Sequence, residues 1–143
     1  LFRQTMFAEF EKRTHEMVES GQPLTVDNLR AEYRSLLEKY FGADVVIDGV
    51  SDIEGLRIPH FYRAFYVYKY ATGVSAAISL SHRVLEGGQS EREDYFAFLK
   101  SGGSRFPIES LRLAGVDMAG ASPIETAIEL FSRRVAELEA YFS

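Results

Sequence analysis

The sequence has no cysteine, which excludes a disulfide framework and any thiolate metal site and suits a reducing cytosol. It has no apolar run long enough for a membrane span, and no signal peptide is visible, so a cytoplasmic protein without membrane contact is expected. It has no basic block either. Its 16 Lys and Arg are scattered among 21 Asp and Glu, for a net charge of -5. That balance argues against a nucleic-acid partner, because neutralising phosphates needs a basic surface. Proline is scarce, with 4 in the chain and none between Pro59 and Pro107, so a helix opening in that interval meets no proline break. The chain also lacks an initiating methionine. It begins Leu1-Phe2-Arg3-Gln4-Thr5-Met6-Phe7, already in a helical pattern and without a cap, which reads as a cut inside a larger protein.

What is present is ordinary for a soluble globular domain: 143 residues, 46% hydrophobic and 26% charged, enough for one domain over residues 1–143 with a real core. Phe2, Met6, Phe10, Met17 and Val18 recur near helical spacing, with Phe7 alongside, and predict a helix to about Ser20. Thr25 is a plausible N-cap for a second helix with Leu29, Tyr33, Leu36, Leu37 and Tyr40 inward and Gly42 at its end. Residues 43–55 read as a loop of extended character, since Val45-Val46-Ile47 has strand-like composition but no partner strand. Ser90 with Glu93, and Ser122 with Glu125, read as capping boxes opening later helices, and Pro107 opens a short helix between them. Ile124, Ile128, Phe131, Val135 and Leu138 share one side of the last helix. The sum is an all-α domain of five or six helices.

One stretch stands apart. Residues Arg57 to Gly73 hold four of the 8 tyrosines and one of the 3 histidines. Pro59 suits a first helical position, and the pattern predicts one continuous helix from there to about Glu86. On that helix Tyr62, Tyr66 and Tyr70 share a stripe, Phe61, Phe65, Tyr68 and Thr72 form another, and His60 lies between them. The small residues Ala71 to Ala77 would let another backbone approach closely. The tyrosines are either an aromatic core stripe or a row of hydrogen-bond donors facing a polar ligand, and composition does not choose.

No complete catalytic constellation is present. His15-Glu16-Met17-Val18-Glu19 is one imidazole short of the zinc motif His-Glu-x-x-His and reads as a solvated helix face. His82 has no carboxylate at ligand spacing and reads as a polar residue on a long helix. Ser101-Gly102-Gly103-Ser104-Arg105 lacks the Walker spacing and reads as a helix end and turn.

The run Arg57-Ile58-Pro59-His60-Phe61-Tyr62, followed by Phe65-Tyr66-Val67-Tyr68-Lys69-Tyr70-Ala71-Thr72-Gly73, resembles the C-terminal part of the oligoendopeptidase F family, within the thimet-oligopeptidase-like zinc peptidases. Thr5-Met6-Phe7-Ala8-Glu9-Phe10-Glu11, Phe98 to Ser104 and Leu113-Ala114-Gly115-Val116-Asp117 resemble it in the same order, so the likeness covers nearly the whole chain. It departs at Gly55-Leu56, where the family pattern has a tryptophan before Arg-Ile-Pro. The resemblance implies the C-terminal helical part of a zincin-type oligopeptidase that hydrolyses short peptides. It places the zinc ligands upstream of Leu1 and none in this chain, so the isolated chain is expected to be inactive. It implies that a His and tyrosines of this region face the bound peptide and the oxygen that becomes negative. Helix geometry favours Tyr62 and Tyr66 beside His60, and motif position matches Tyr68 equally well, so the catalytic candidates are His60, Tyr66 and Tyr68 and the substrate-contact candidates His60, Tyr62, Tyr66 and Tyr68. Tyr70 is read as structural. The implied partners are short peptides and the upstream part of the same peptidase, with self-association through the cut surface. The rival reading is a stand-alone helical interaction module whose tyrosines are core.

Overall fold

Met6, Phe7 and Phe10 meet Tyr33, Leu36 and Leu37 because each triplet follows helical spacing, and all six side chains are buried. They lie on α1 (Phe2–Glu19) and α2 (Val26–Phe41), the first two helices of a computed structural model that describes residues 1–143. The chain is all-α: seven α-helices, two short 3-10 turns and no strand. It divides into two units, Leu1–Ala71 and Thr72–Ser143.

In the first unit α2 has the ends its sequence announces. The Thr25 hydroxyl accepts the Asn28 N–H at 3.2 Å, and Gly42, at φ 76, ends the helix. The core between α1 and α2 is aromatic: the rings of Phe10 and Tyr33 meet edge to face at 5.1 Å, and Phe61 packs on Phe7 and Phe10 at 6.0 and 5.4 Å. Phe2 and Val18, also part of the apolar recurrence, lie exposed at the two ends of α1.

The stretch read as loop holds more helix than expected, a 3-10 turn at Ser51–Ile53 and α3 (Glu54–Arg57). No propensity in the stretch marks these turns; α2 fastens them from one side. Arg30 donates to the buried Asp52 at 3.1 Å, Arg34 donates to the carbonyls of Ile47 and Asp48 at 3.1 and 2.9 Å, and the Tyr33 hydroxyl donates to Glu54 at 2.8 Å. The Tyr33 ring lies so close over Gly55 that a Cβ there would stand 2.6 Å from it.

Glu9 ties α1 to α2 electrostatically. Its carboxylate accepts from Lys39 at 2.8 and 3.0 Å and from the Tyr40 hydroxyl at 2.8 Å, and Arg13 bonds it as well. The Lys39 bond leads in holding the Glu9 carboxyl down at about 2, against an ordinary 4.5. A carboxyl with a depressed folded value contributes stability above its unfolded value and loses it as pH falls. Glu9→Gln is therefore expected to cost about 1–2 kcal/mol at neutral pH, once solvent screening is allowed for. The difference from the wild type should close between pH 4.5 and about 2, as followed by thermal unfolding; a pH-independent difference would show that the charge is not its source.

In the second unit, the small face of α4 (Tyr68–Glu86) is buried at Ser75, Ala76 and Ser79, as the run of small residues suggested. Arg83 donates to the Ala114 carbonyl at 3.0 Å, and its guanidinium lies against Gly115, whose φ of 72 also favours glycine. Neither capping box forms. Helix α5 (Gln89–Ser101) starts one residue before Ser90, with Glu91 accepting the Gly88 N–H at 2.8 Å. Helix α6 spans Pro107–Leu113, and α7 (Ser122–Phe142) has Ser122 already inside it, because Ala121 takes helical angles. The apolar row on α7 exists, but Ile128, Phe131, Val135 and Leu138 are all exposed; Pro123 and Ala127 are the buried positions.

Candidate active site

The continuous helix expected from Pro59 to Glu86 is broken. Pro59–Tyr62 is a 3-10 turn, Arg63 is extended, Phe65 has a left-handed backbone at φ 54, and α4 begins only at Tyr68. The reason is tertiary. Phe61 packs into the α1–α2 core and Val67 is 1% exposed in the same core, yet on one straight helix residues six apart point about 120° away from each other. Breaking the helix lets both anchors point inward, and the loop between them stands on the surface.

That break decides which aromatic residues meet. The His60 and Tyr66 rings stack at 5.9 Å, Tyr70 stands edge-on to His60 at 5.5 Å, and Tyr66 and Tyr70 lie 5.8 Å apart. The Tyr70 hydroxyl and His60 Nε2 are within 3.1 Å of each other. Tyr70 has a single O–H: if it donates to His60, His60 carries its proton on Nδ1, and if it donates to Tyr66, it accepts from a protonated Nε2. The bond to Tyr66 leads in raising the Tyr70 hydroxyl above its ordinary range, so Tyr70 stays un-ionised. Two cations flank the Tyr66 ring, Arg63 at 5.3 Å and Lys69 at 4.9 Å.

Of the residues singled out in sequence, His60 and Tyr66 come together. Tyr62 is 81% exposed on the 3-10 turn, and Tyr68 opens α4 half exposed. The expected stripe of Tyr62, Tyr66 and Tyr70 does not exist as such, since Tyr62 precedes the break. Tyr70, read as structural, is the residue that the structure sets on His60. Sequence reasoning also passed over Glu11 and Phe65, whose backbone N–H donates to Glu11 Oε1 at 2.7 Å. Nothing in the residue types marks either one. His15 packs on the Phe65 ring at 4.5 Å, and His82 does have a carboxylate one turn on, Glu86 at 3.0 Å. No three His, Asp or Glu side chains converge as a metal site, so this chain's own residues do not fit the zinc that the resemblance implies.

The family model described as Peptidase family M3 matches residues 1–130. The chain belongs to peptidase family M3. Within that family it is 48% identical over 139 residues to the oligopeptidase PepF of Bacillus subtilis, covering 97% of this chain and 21% of that one. It is 46% identical over 141 residues to an oligoendopeptidase F homolog of Borreliella burgdorferi, at 99% and 24%. The crystal structure of oligoendopeptidase-F from Enterococcus faecium superposes with a TM-score of 0.94 at 45% identity, covering 98% of this chain and 27% of that one. The chain thus spans about a quarter of the length of the M3 relatives it matches.

Proposed function

We propose that residues 1–143 are the C-terminal helical part of a zinc-dependent, cytoplasmic oligoendopeptidase that hydrolyses short peptides, and that they form the wall of its cleft. The observation that carries this reading is the cluster of His60, Tyr66 and Tyr70 in a chain of the M3 family. The zinc would be held by residues outside 1–143.

The work of this segment is hydrogen bonding and placement. An un-ionised phenol donates at neutral pH, so Tyr66, and Tyr68 at the start of α4, can direct a hydroxyl at the oxygen that gains negative charge when a peptide bond is attacked. Arg63 and Lys69 beside Tyr66 make the surroundings positive, which favours the same charge. His60, fixed by Tyr70 and stacked on Tyr66, offers a second donor, and Tyr62 on the exposed turn reaches toward bound peptide. The exposed apolar row of α7 is a surface for the rest of the peptidase to cover; in the chain by itself it would promote self-association.

Reading the gene on the 5′ side of Leu1 tests this. The frame is expected to continue and to encode His-Glu-x-x-His followed by a glutamate ligand. A frame that opens at Leu1 with only an initiator methionine overturns the reading and leaves a helical interaction module. The isolated chain is expected to take up no stoichiometric zinc and to cleave no peptide.

A further inference from the structure

Phe65 is the only non-glycine residue with a left-handed backbone, at φ 54. That conformation is uncommon for a bulky side chain, and in Arg63-Ala64-Phe65-Tyr66 no glycine, asparagine or aspartate invites it. What holds it lies 54 residues away in sequence: Glu11 Oε1 accepts the Phe65 N–H at 2.7 Å. Glu11 is 4% exposed, one residue past Phe10 on α1. A carboxylate is a costly occupant of such a place and an apolar side chain an easy one. Its carboxylate is engaged by a backbone amide, a charge-assisted bond. His15, one turn along α1, closes on the Phe65 ring at 4.5 Å, so α1 grips Phe65 by its backbone and by its side chain. The next residue in the chain is Tyr66.

We propose that Glu11 is a positioning residue of the peptide-cleaving site: its buried carboxylate holds Arg63–Val67 in the left-handed turn that sets Tyr66 beside His60 and Tyr70. This rests on the functional reading above. Glu11 touches no substrate and acts through the backbone of Phe65. Without the tether, Phe65 relaxes to an ordinary negative φ and the Tyr66 hydroxyl leaves its place, an error of a kind that costs catalysis far more than binding.

The test uses the full-length protein that contains these residues, with turnover of a short fluorogenic peptide and hydrogen exchange at the Phe65 amide as paired readouts. Glu11→Ala is expected to lower kcat about tenfold, with KM within about threefold, and to remove the protection of that amide. Glu11→Gln keeps an acceptor oxygen and should stay within about threefold of the wild type. Adding Phe65→Asn to Glu11→Ala should recover at least about threefold in kcat, because asparagine tolerates the left-handed region; a side chain that only fills space on α1 would not be rescued in this way. If Glu11→Ala does not fold, Phe65→Pro carries the test, since it removes the donor and forbids a positive φ while leaving every residue of α1 in place, at the loss of the ring contact with His15; the same fall in kcat is expected. The proposal is overturned by an unchanged kcat in Glu11→Ala or Phe65→Pro, or by a loss that neither glutamine at 11 nor asparagine at 65 relieves. A wild-type protein that cleaves no peptide removes the functional reading and this role with it, whereas an active wild type giving the contrary results removes the role alone.

Discussion

Tyr66→Phe in the full-length protein is expected to lower kcat for a short peptide by about 10²–10³, roughly 3–4 kcal/mol of barrier, with KM little changed. The substitution is clean because it keeps nearly everything that Tyr66 does as a ring. Phenylalanine can still stack on His60 at 5.9 Å and still lie beside Arg63 and Lys69. What it loses is the hydroxyl, with its bond to Tyr70, and a donor that meets its full acceptor only in the transition state changes kcat and kcat/KM together. Tyr70→Phe should act more weakly, because Tyr70 works through its bond to His60, and Tyr62→Phe, on the exposed turn, should act on KM. Steady-state kinetics on the set decides. If Tyr62→Phe, Tyr66→Phe and Tyr68→Phe all leave turnover unchanged, tyrosine hydroxyls do not stabilise the reacting oxygen.

The parts of this molecule that sequence foretold are those made by neighbours in the chain. Thr25 and Gly42 bound α2 through bonds that reach three or four residues, and a pattern of that range is visible in a single sequence. The capping boxes at Ser90 and Ser122 were equally local and still did not form, because Glu91 bonded Gly88 and Ala121 took helical angles. The break after Tyr62 has no local sign at all. It follows from Phe61 and Val67 both seeking the α1–α2 core and from a carboxylate on α1 catching the Phe65 amide. For the same reason composition left the tyrosines open between core and cleft. Tyr66 is half buried and Tyr70 is exposed, each with its hydroxyl beside another polar ring, which is neither a dry stripe nor an open row. Family resemblance drew attention to the stretch, and the long-range contacts decide which of its aromatic residues meet.

Tyr33→Ala is expected to destabilise the protein by about 3–5 kcal/mol, the range for removing a large buried ring. Tyr33 is 0% exposed, sits edge to face with Phe10 at 5.1 Å and near-parallel to Phe7 at 6.4 Å, and covers Gly55. Alanine would open a cavity walled on one side by α3, which has little else to follow it inward. Tyr33→Phe separates the ring from its hydroxyl: it keeps the packing and gives up the bond to Glu54, 2.8 Å in length, at a cost of about 1 kcal/mol. Burial, reinforced by that bond, pushes the Tyr33 phenol above its ordinary range, so the hydroxyl remains a donor at neutral pH. Urea unfolding measures both variants. A Tyr33→Ala loss no larger than that of Tyr33→Phe would mean that the hydroxyl, and not the ring, secures α3. The expected opposite has a consequence for the site, because α3 leads directly through Ile58 into Pro59 and His60. Hydrogen exchange over Gly55–Tyr62 should therefore rise in the alanine variant and remain near wild type in the phenylalanine variant, tying the placement of His60 to a ring on α2 that is fully buried.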